Sequence, residues 1–117
     1  MAHDSEVGAS HYDPSEFLQL YGDDPELKAE ILDVLASETP GKLERLQAAI
    51  AGEEGDEIAR AAHSLANTAG TMRAEQLLAI CRELEAVTRE GKRGRSRELA
   101  EVVQSGFTDM LAKAAEL

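Results

Sequence analysis

His63 sits in a stretch of the sequence whose packing does not call for it. Through Asp56-Glu57-Ile58-Ala59-Arg60-Ala61-Ala62-His63-Ser64-Leu65-Ala66-Asn67-Thr68-Ala69-Gly70, the apolar residues Ile58, Ala62, Leu65, Ala69 and then Met72 recur at helical spacing. At roughly 100° per residue they share one face, and His63 projects from nearly the opposite side. Packing does not explain an imidazole held in that way, and its chemistry as a nucleophile does. Its neighbours three and four residues away are Ala59, Arg60, Ala66 and Asn67, with Gly70 one turn further on. Four of these five are small or short, where the solvated face of an acidic helix would ordinarily carry Glu and Lys. The pattern reads as an outer surface left low so that a second protein can reach His63, with Ala59, Ala66, Asn67 and Gly70 as contact positions.

A second group is brought in by symmetry. If this helix and the next are antiparallel and joined by a tight turn near residue 74, His63 faces Glu85. A neutral imidazole is nucleophilic through one nitrogen only while the other keeps its proton, and a carboxylate that accepts this N–H fixes the tautomer. Glu85 is thus a candidate orienting group. Arg89, one turn beyond Glu85 on the same side, is placed to reach an anion held at His63. The same spacing also suits an ordinary surface pair between Glu85 and Arg89.

These residues need helices to position them. Asp13-Pro14-Ser15-Glu16 is a helix start, with Asp13 as cap, Pro14 in the first turn and Glu16 completing a capping box. The short helix it opens carries Phe17, Leu18 and Leu20 and ends at Gly22, a lid over one end of the domain. Asp24-Pro25-Glu26 repeats the signal before a longer apolar series, Leu27, Ile31, Val34, Leu35, Leu43, Leu46 and Ile50, closing at Gly52. Pro40 and Gly41 interrupt it, so a kink near residues 36 to 40 is expected within one bent helix. The His63 helix then runs to about Gly70. Leu77, Leu78, Cys81, Leu84 and Val87 mark a further helix that closes at Gly91, and Leu99, Val102, Val103, Phe107, Met110 and Leu111 mark the last. Lys92-Arg93-Gly94-Arg95-Ser96-Arg97 is read as a solvated basic connection, or else as a docking point for an acidic partner. The fold class is therefore all-α: an antiparallel up-down four-helix bundle over residues 13–117 with a short N-terminal capping helix. Residues 1–12 are expected to be a disordered end, and His3 and His11 to be solvated histidines, because nothing near them completes a metal site.

Composition narrows the function further. The chain has 117 residues and no Trp, so its core must be aliphatic. A formal net charge of -11 argues against nucleic acid and anionic membrane as partners and leaves proteins. The single cysteine, Cys81, fits a reducing compartment. No apolar run approaches membrane-spanning length and Met1-Ala2-His3-Asp4-Ser5-Glu6 has no signal-peptide core, so a cytoplasmic, monomeric protein is expected.

The run Ala62-His63-Ser64-Leu65-Ala66-Asn67-Thr68-Ala69-Gly70, followed by Leu77, Ile80-Cys81, Leu84-Glu85, Arg89 and Gly91, resembles the histidine-containing phosphotransfer (HPt) domains of multistep phosphorelays. The resemblance implies a phosphocarrier, not an enzyme in its own right. Its His63 would take a phosphoryl group from, or pass it to, an aspartate on the receiver domain of a response regulator or hybrid sensor kinase. It implies no cofactor or metal on this chain, since the receiver would bring its own Mg²⁺. Ala66 stands where such domains usually have Lys, Asn67 where they usually have Gly, and Arg73 where a turn glycine is common. Arg60 or Arg89 would then neutralise the phosphoryl group, and the Asn67 amide would bond one of its oxygens.

Two related readings fit the sequence less well. In the dimerisation hairpin of a sensor kinase an acid and then a proline follow the histidine, whereas Ser64 follows here. A metal site in a bundle core wants Glu three residues before an inward histidine, and here that residue is Arg60. The rival of a different class is a binding-only, HPt-like module that docks receivers without efficient transfer, favoured by Ala66.

Overall fold

The computed structural model describes residues 12–117, and among them helix is the only regular structure. In chain order the helices are α1 (Ser15–Tyr21), α2 (Pro25–Ala51), α3 (Gly55–Thr71), α4 (Glu75–Arg89) and α5 (Arg93–Ala114). The expected N-terminal segment with His3 and His11 lies outside the described residues, except for its last member. Tyr12 is a correction: it belongs to the fold. Its ring is buried, its hydroxyl donates to the carbonyl of Met72 at 2.8 Å, and its backbone N–H donates to Asp109 Oδ2 at 3.0 Å. Burial, with Asp13 next to it, pushes the phenol up to about 12, so it remains a donor throughout the physiological range.

Each long helix packs on the next, and α2 also packs on α5, so the four close into a ring. The centre is filled by Leu43 and Leu46 from α2, Ala62, Leu65 and Ala69 from α3, Leu77, Cys81 and Leu84 from α4, and Val103, Phe107 and Met110 from α5. Phe17 of α1 is completely buried and Tyr21 packs tilted against it, 5.2 Å between ring centres. No helix among the described residues is long and apolar enough to cross a membrane.

The helix starts follow the local chemistry, with one shift. Asp24 Oδ1 accepts the Leu27 N–H at 3.1 Å, and Pro25 opens α2. At α1, Asp13 accepts both the Ser15 N–H (2.9 Å) and the Ser15 hydroxyl (2.6 Å), so the helix begins at Ser15 and Pro14 takes the cap position without a side-chain bond. The expected single helix over the Pro40 region is observed, running unbroken from Pro25 to Ala51. The carbonyl four residues before Pro40, which loses its partner, belongs to Ala36 on the exposed side, where water can satisfy it.

The three connections between long helices, residues 52–54, 72–74 and 90–92, are built alike. In each, the middle residue is left-handed: Glu53 at φ 54°, Arg73 at 58° and Gly91 at 77°. The following N–H reaches back five residues, Glu54 to Ala49, Ala74 to Ala69 and Lys92 to Val87, at 2.9–3.1 Å. This closes the preceding helix. A side chain at such a φ is strained by about 1 kcal/mol relative to glycine. Arg73→Gly should therefore raise the unfolding free energy by about 0.5–1 kcal/mol, read as a higher urea midpoint at unchanged slope; a lower midpoint would mean that the Arg73 side chain makes a stabilising contact.

The basic segment is also corrected. Arg93, Gly94 and Arg95 form the first turn of α5, so the connection proper is only Glu90-Gly91-Lys92. Its cations are matched within the chain: Arg93 and Arg97 to Glu53 (3.0 and 3.9 Å), Arg95 to Glu83 and Glu98 (3.2 and 3.4 Å) and Lys92 to Glu90 (2.9 Å). Acidic residues at the base of α3 and along α4 thus offset cations that sit unfavourably at a helix N-terminus.

Candidate functional site

The apolar stripe of α3 is buried as its spacing requires, with Ile58, Ala62, Leu65, Ala69 and the adjoining Met72 all in the core. His63, about 100° from Ala62, turns outward, and its side chain is 65% exposed. The connection at residues 72–74 is short, and α4 packs against α3. Glu85 is thereby brought to His63, with Oε1 3.4 Å from Nδ1. In the tautomer protonated at Nδ1 the ring N–H donates to the carboxylate. The distance is longer than the usual value of about 2.9 Å, so the contact orients the ring without clamping it. Nε2 has no partner among the described residues and faces solvent.

Glu85 is held from its other side as well. Arg89 Nη2 donates to Glu85 Oε2 at 3.0 Å, one turn along α4. The Arg89 hydrogen bond, and after it the His63 contact, hold the Glu85 carboxyl below its ordinary value of 4.5. The stability and ring orientation that Glu85 supplies are therefore present above that value and lost as pH falls through the lowered one. Arg89→Ala should move the Glu85 titration upward in a carboxyl NMR titration, whereas an unmoved midpoint would assign the lowering to another group. Glu85→Ala should slow modification of His63 by electrophiles about tenfold while leaving the thermal midpoint within a degree or two, because the contact lies at the surface.

Two expected contact positions are corrected. Ala59 and Ala66 are 1% and 5% exposed, so neither offers surface to another protein. They lie roughly 40° and 60° round α3 from His63, on the flank that α4 covers. Their smallness lets α4 come close, and that closeness is what puts Glu85 within reach of His63. Asn67 and Arg60 lie by similar angles on the opposite flank and are exposed. Gly70 is partly exposed, and a Cβ built there meets nothing within 4 Å. The open part of the surface is thus His63, Asn67 and Gly70.

The cations are sorted in the same way. Arg60 turns back along its own helix and donates to Glu57 Oε1 at 3.2 Å, both groups well exposed. Arg89 is engaged by Glu85. Arg82, absent from the sequence-based candidates, makes no ion pair among the described residues. It lies three residues before Glu85, one turn away on α4, and is exposed. Counting back from Glu85 by one turn is the sequence signal that would have found it.

Other nucleophiles and ligand sets are poorly placed. Cys81 is buried in the core and its thiol is pushed up to about 12, which keeps it unreactive. Among the described residues no His, Cys, Asp and Glu are grouped so as to hold a metal ion. What the site offers is one exposed imidazole nitrogen, a carboxylate behind the other nitrogen, and guanidinium groups alongside.

A family model of the Hpt domain matches residues 30–116 of the chain. Comparison with curated proteins and with solved structures gives no match.

Proposed function

The chain belongs to the Hpt domain family, phosphocarriers that act with receiver domains in two-component phosphorelays, and on that premise we propose that His63 is its phosphoryl acceptor. The observation that carries the proposal is the pairing of an exposed Nε2 with Glu85 at Nδ1. In the step proposed, the Nε2 lone pair attacks the phosphorus of a receiver's aspartyl phosphate in line with the bond to be broken. The N–P bond forms, the P–O bond to the aspartyl oxygen breaks, and the carboxylate leaves with the electron pair. The Nδ1 proton stays in place, and Glu85 offsets the positive charge that develops on the ring. Return of the phosphoryl group reverses each event.

Phosphoryl transfer of this kind has a loose transition state, so a carrier needs a positioned nucleophile, room for in-line approach and some neutralisation of charge. The open surface over His63, Asn67 and Gly70 provides the room. Neutralisation falls to Arg82 and, once the receiver disturbs its bond to Glu85, to Arg89; Arg60 is directed elsewhere. The Asn67 amide is available to a phosphoryl oxygen. Any Mg²⁺ required would come with the receiver. The arrangement of the long helices is proposed to be an antiparallel up-down bundle, since connections as short as residues 52–54, 72–74 and 90–92 leave the chain no path but reversal. A monomer working in the cytoplasm suits the acidic surface and the single buried cysteine.

The second reading, a module that binds receivers without transferring, rests on Ala66. Burial of Ala66 weakens it, because a side chain packed under α4 is poorly placed to serve as the phosphate cation, and Arg82 lies one turn from Glu85. Incubation with a phosphorylated receiver separates the two: acid-labile label on the chain supports the carrier, and tight receiver binding with no label supports the module.

A further inference from the structure

One turn from His63, Asn67 carries a side-chain amide that nothing among the described residues engages. The other positions one turn away on α3 offer no such group. Ala59 and Ala66 are buried and apolar, and Arg60 is bonded to Glu57 at 3.2 Å. Thr71 donates to the Asn67 backbone carbonyl at 3.2 Å and Thr68 to the Ser64 carbonyl at 3.4 Å, so those hydroxyls are turned onto their own helix. Both oxygens of Glu85 face partners, Oε1 the His63 ring and Oε2 Arg89. The exposed Asn67 amide is thus an uncommitted acceptor and donor about 6 Å along α3 from His63.

A primary amide suits a different task from that of a cation. Its oxygen accepts a hydrogen bond from water while its NH2 group donates to a phosphoryl oxygen. Because phosphoryl transfer passes through a loose transition state, an attacking water needs orientation more than a strong base, and a neutral amide supplies that in other phosphate-cleaving sites. Position decides which phosphate is attacked. When a receiver's aspartyl phosphate stands over this surface, the face of phosphorus opposite the leaving aspartyl oxygen points toward α3. An atom attacking there is either Nε2 or a water beside it, within reach of Asn67. Once the phosphoryl group is on Nε2, the in-line position lies beyond phosphorus, away from α3, and a side chain as short as Asn67 does not span the gap. The ring can give way to the water, since its contact with Glu85 is 3.4 Å long and its side chain is 65% exposed. At Gly70, one turn further, an added Cβ meets nothing within 4 Å, which leaves the approach uncrowded.

We propose that the chain also hydrolyses the receiver's aspartyl phosphate directly, with Asn67 positioning the attacking water. The choice of partner rests on the reading of His63 as a phosphocarrier, and hydrolysis is a second fate for the same phosphoryl group. The water oxygen bonds to phosphorus as the P–O bond to the aspartyl oxygen breaks, and the carboxylate leaves with the electron pair. One water proton stays on that oxygen, the other passes to a phosphoryl oxygen, and inorganic phosphate is released. No phosphohistidine forms on this route. The receiver is reset even where no acceptor stands downstream.

The probes are a panel of purified receiver domains, radiolabelled on the aspartate by a small phosphodonor and freed of it before mixing with the full chain. Label on the chain and label released as inorganic phosphate are followed separately, by gel and by thin-layer chromatography. His63→Ala removes the acceptor, so any release that it accelerates bypasses phosphohistidine. With this variant a receiver should lose its label about tenfold faster than alone, all of it as inorganic phosphate. His63→Ala/Asn67→Ala should fall back to the receiver's own rate. His63→Ala/Asn67→Gln, which restores an amide, should recover part of the acceleration. Both positions are exposed, so circular dichroism should show unchanged helicity. Release with His63→Ala no faster than from the receiver alone, or acceleration that survives loss of the amide, overturns the proposal. Label on the wild-type chain without that acceleration sinks the hydrolysis alone, acceleration without label on the wild type sinks the carrier alone, and a panel showing neither sinks both.

Discussion

His63→Gln should leave the helical content and thermal midpoint of the protein unchanged and reduce acid-labile phosphoryl label to background. Glutamine keeps the size and polarity of the side chain but has no nucleophilic ring nitrogen, so the loss would be complete rather than partial. Stability is spared because the side chain is 65% exposed and its one protein contact, to Glu85, is long. The measurement is incubation of wild type and variant with a phosphorylated receiver or a small phosphodonor, followed by acid and base treatment. Label that persists in the variant, or that survives acid, would move the acceptor to another residue. Neither Cys81, buried in the core, nor the described carboxylates offers an equivalent nucleophile.

Arg82→Ala is expected to give the next largest functional effect, slowing exchange with a receiver about tenfold, or about 1.4 kcal/mol of transition-state stabilisation. Arg60 lies one turn from His63 on α3, and Arg82 and Arg89 lie one turn either side of Glu85 on α4, but two of the three are committed: Arg60 to Glu57 at 3.2 Å and Arg89 to Glu85 at 3.0 Å. Arg82 has no such commitment among the described residues, and it lies one turn from Glu85, within a side chain's reach of the phosphoryl group proposed for His63. Its exposure caps the effect, since water and salt screen a surface cation. The deficit should therefore shrink as ionic strength rises, and Arg82→Lys should restore most of the rate. Arg60→Ala serves as the control and should leave the rate within a factor of two. If Arg60→Ala proves the slower variant, the cation lies on the α2 flank of His63 and the assignment to α4 fails.

Much of this was legible along the chain because it depends on short-range rules. Asp24 and Pro25 mark the start of α2, Gly91 adopts the left-handed turn its type favours, and Arg73 adopts it at a cost. Counting outward from a tight turn reaches Glu85, and the observed His63–Glu85 contact agrees with it, because so short a connection leaves little freedom in the register of the two helices it joins. Ala59 and Ala66 were misassigned to the open surface for a related reason. Their angle to His63 is set by the helix, but which flank the next helix covers is not. Leu27 and Val34 fit the spacing of a buried stripe, yet no neighbour extends far enough to bury them. Tyr12 gives no local sign of order, and it is held by a carbonyl sixty residues away in sequence.

By itself the sequence determined that the chain would be helical, where its turns would fall, and that one imidazole would point away from the apolar stripe, since 100° per residue is a property of the backbone. Only the tertiary structure decided which small residues let helices approach and which face a visitor, which arginine beside Glu85 makes no ion pair among the described residues, and which aliphatic residues remain in water. Those outcomes depend on the relative lengths and rotations of packed helices, which are set by burial between residues far apart in the chain.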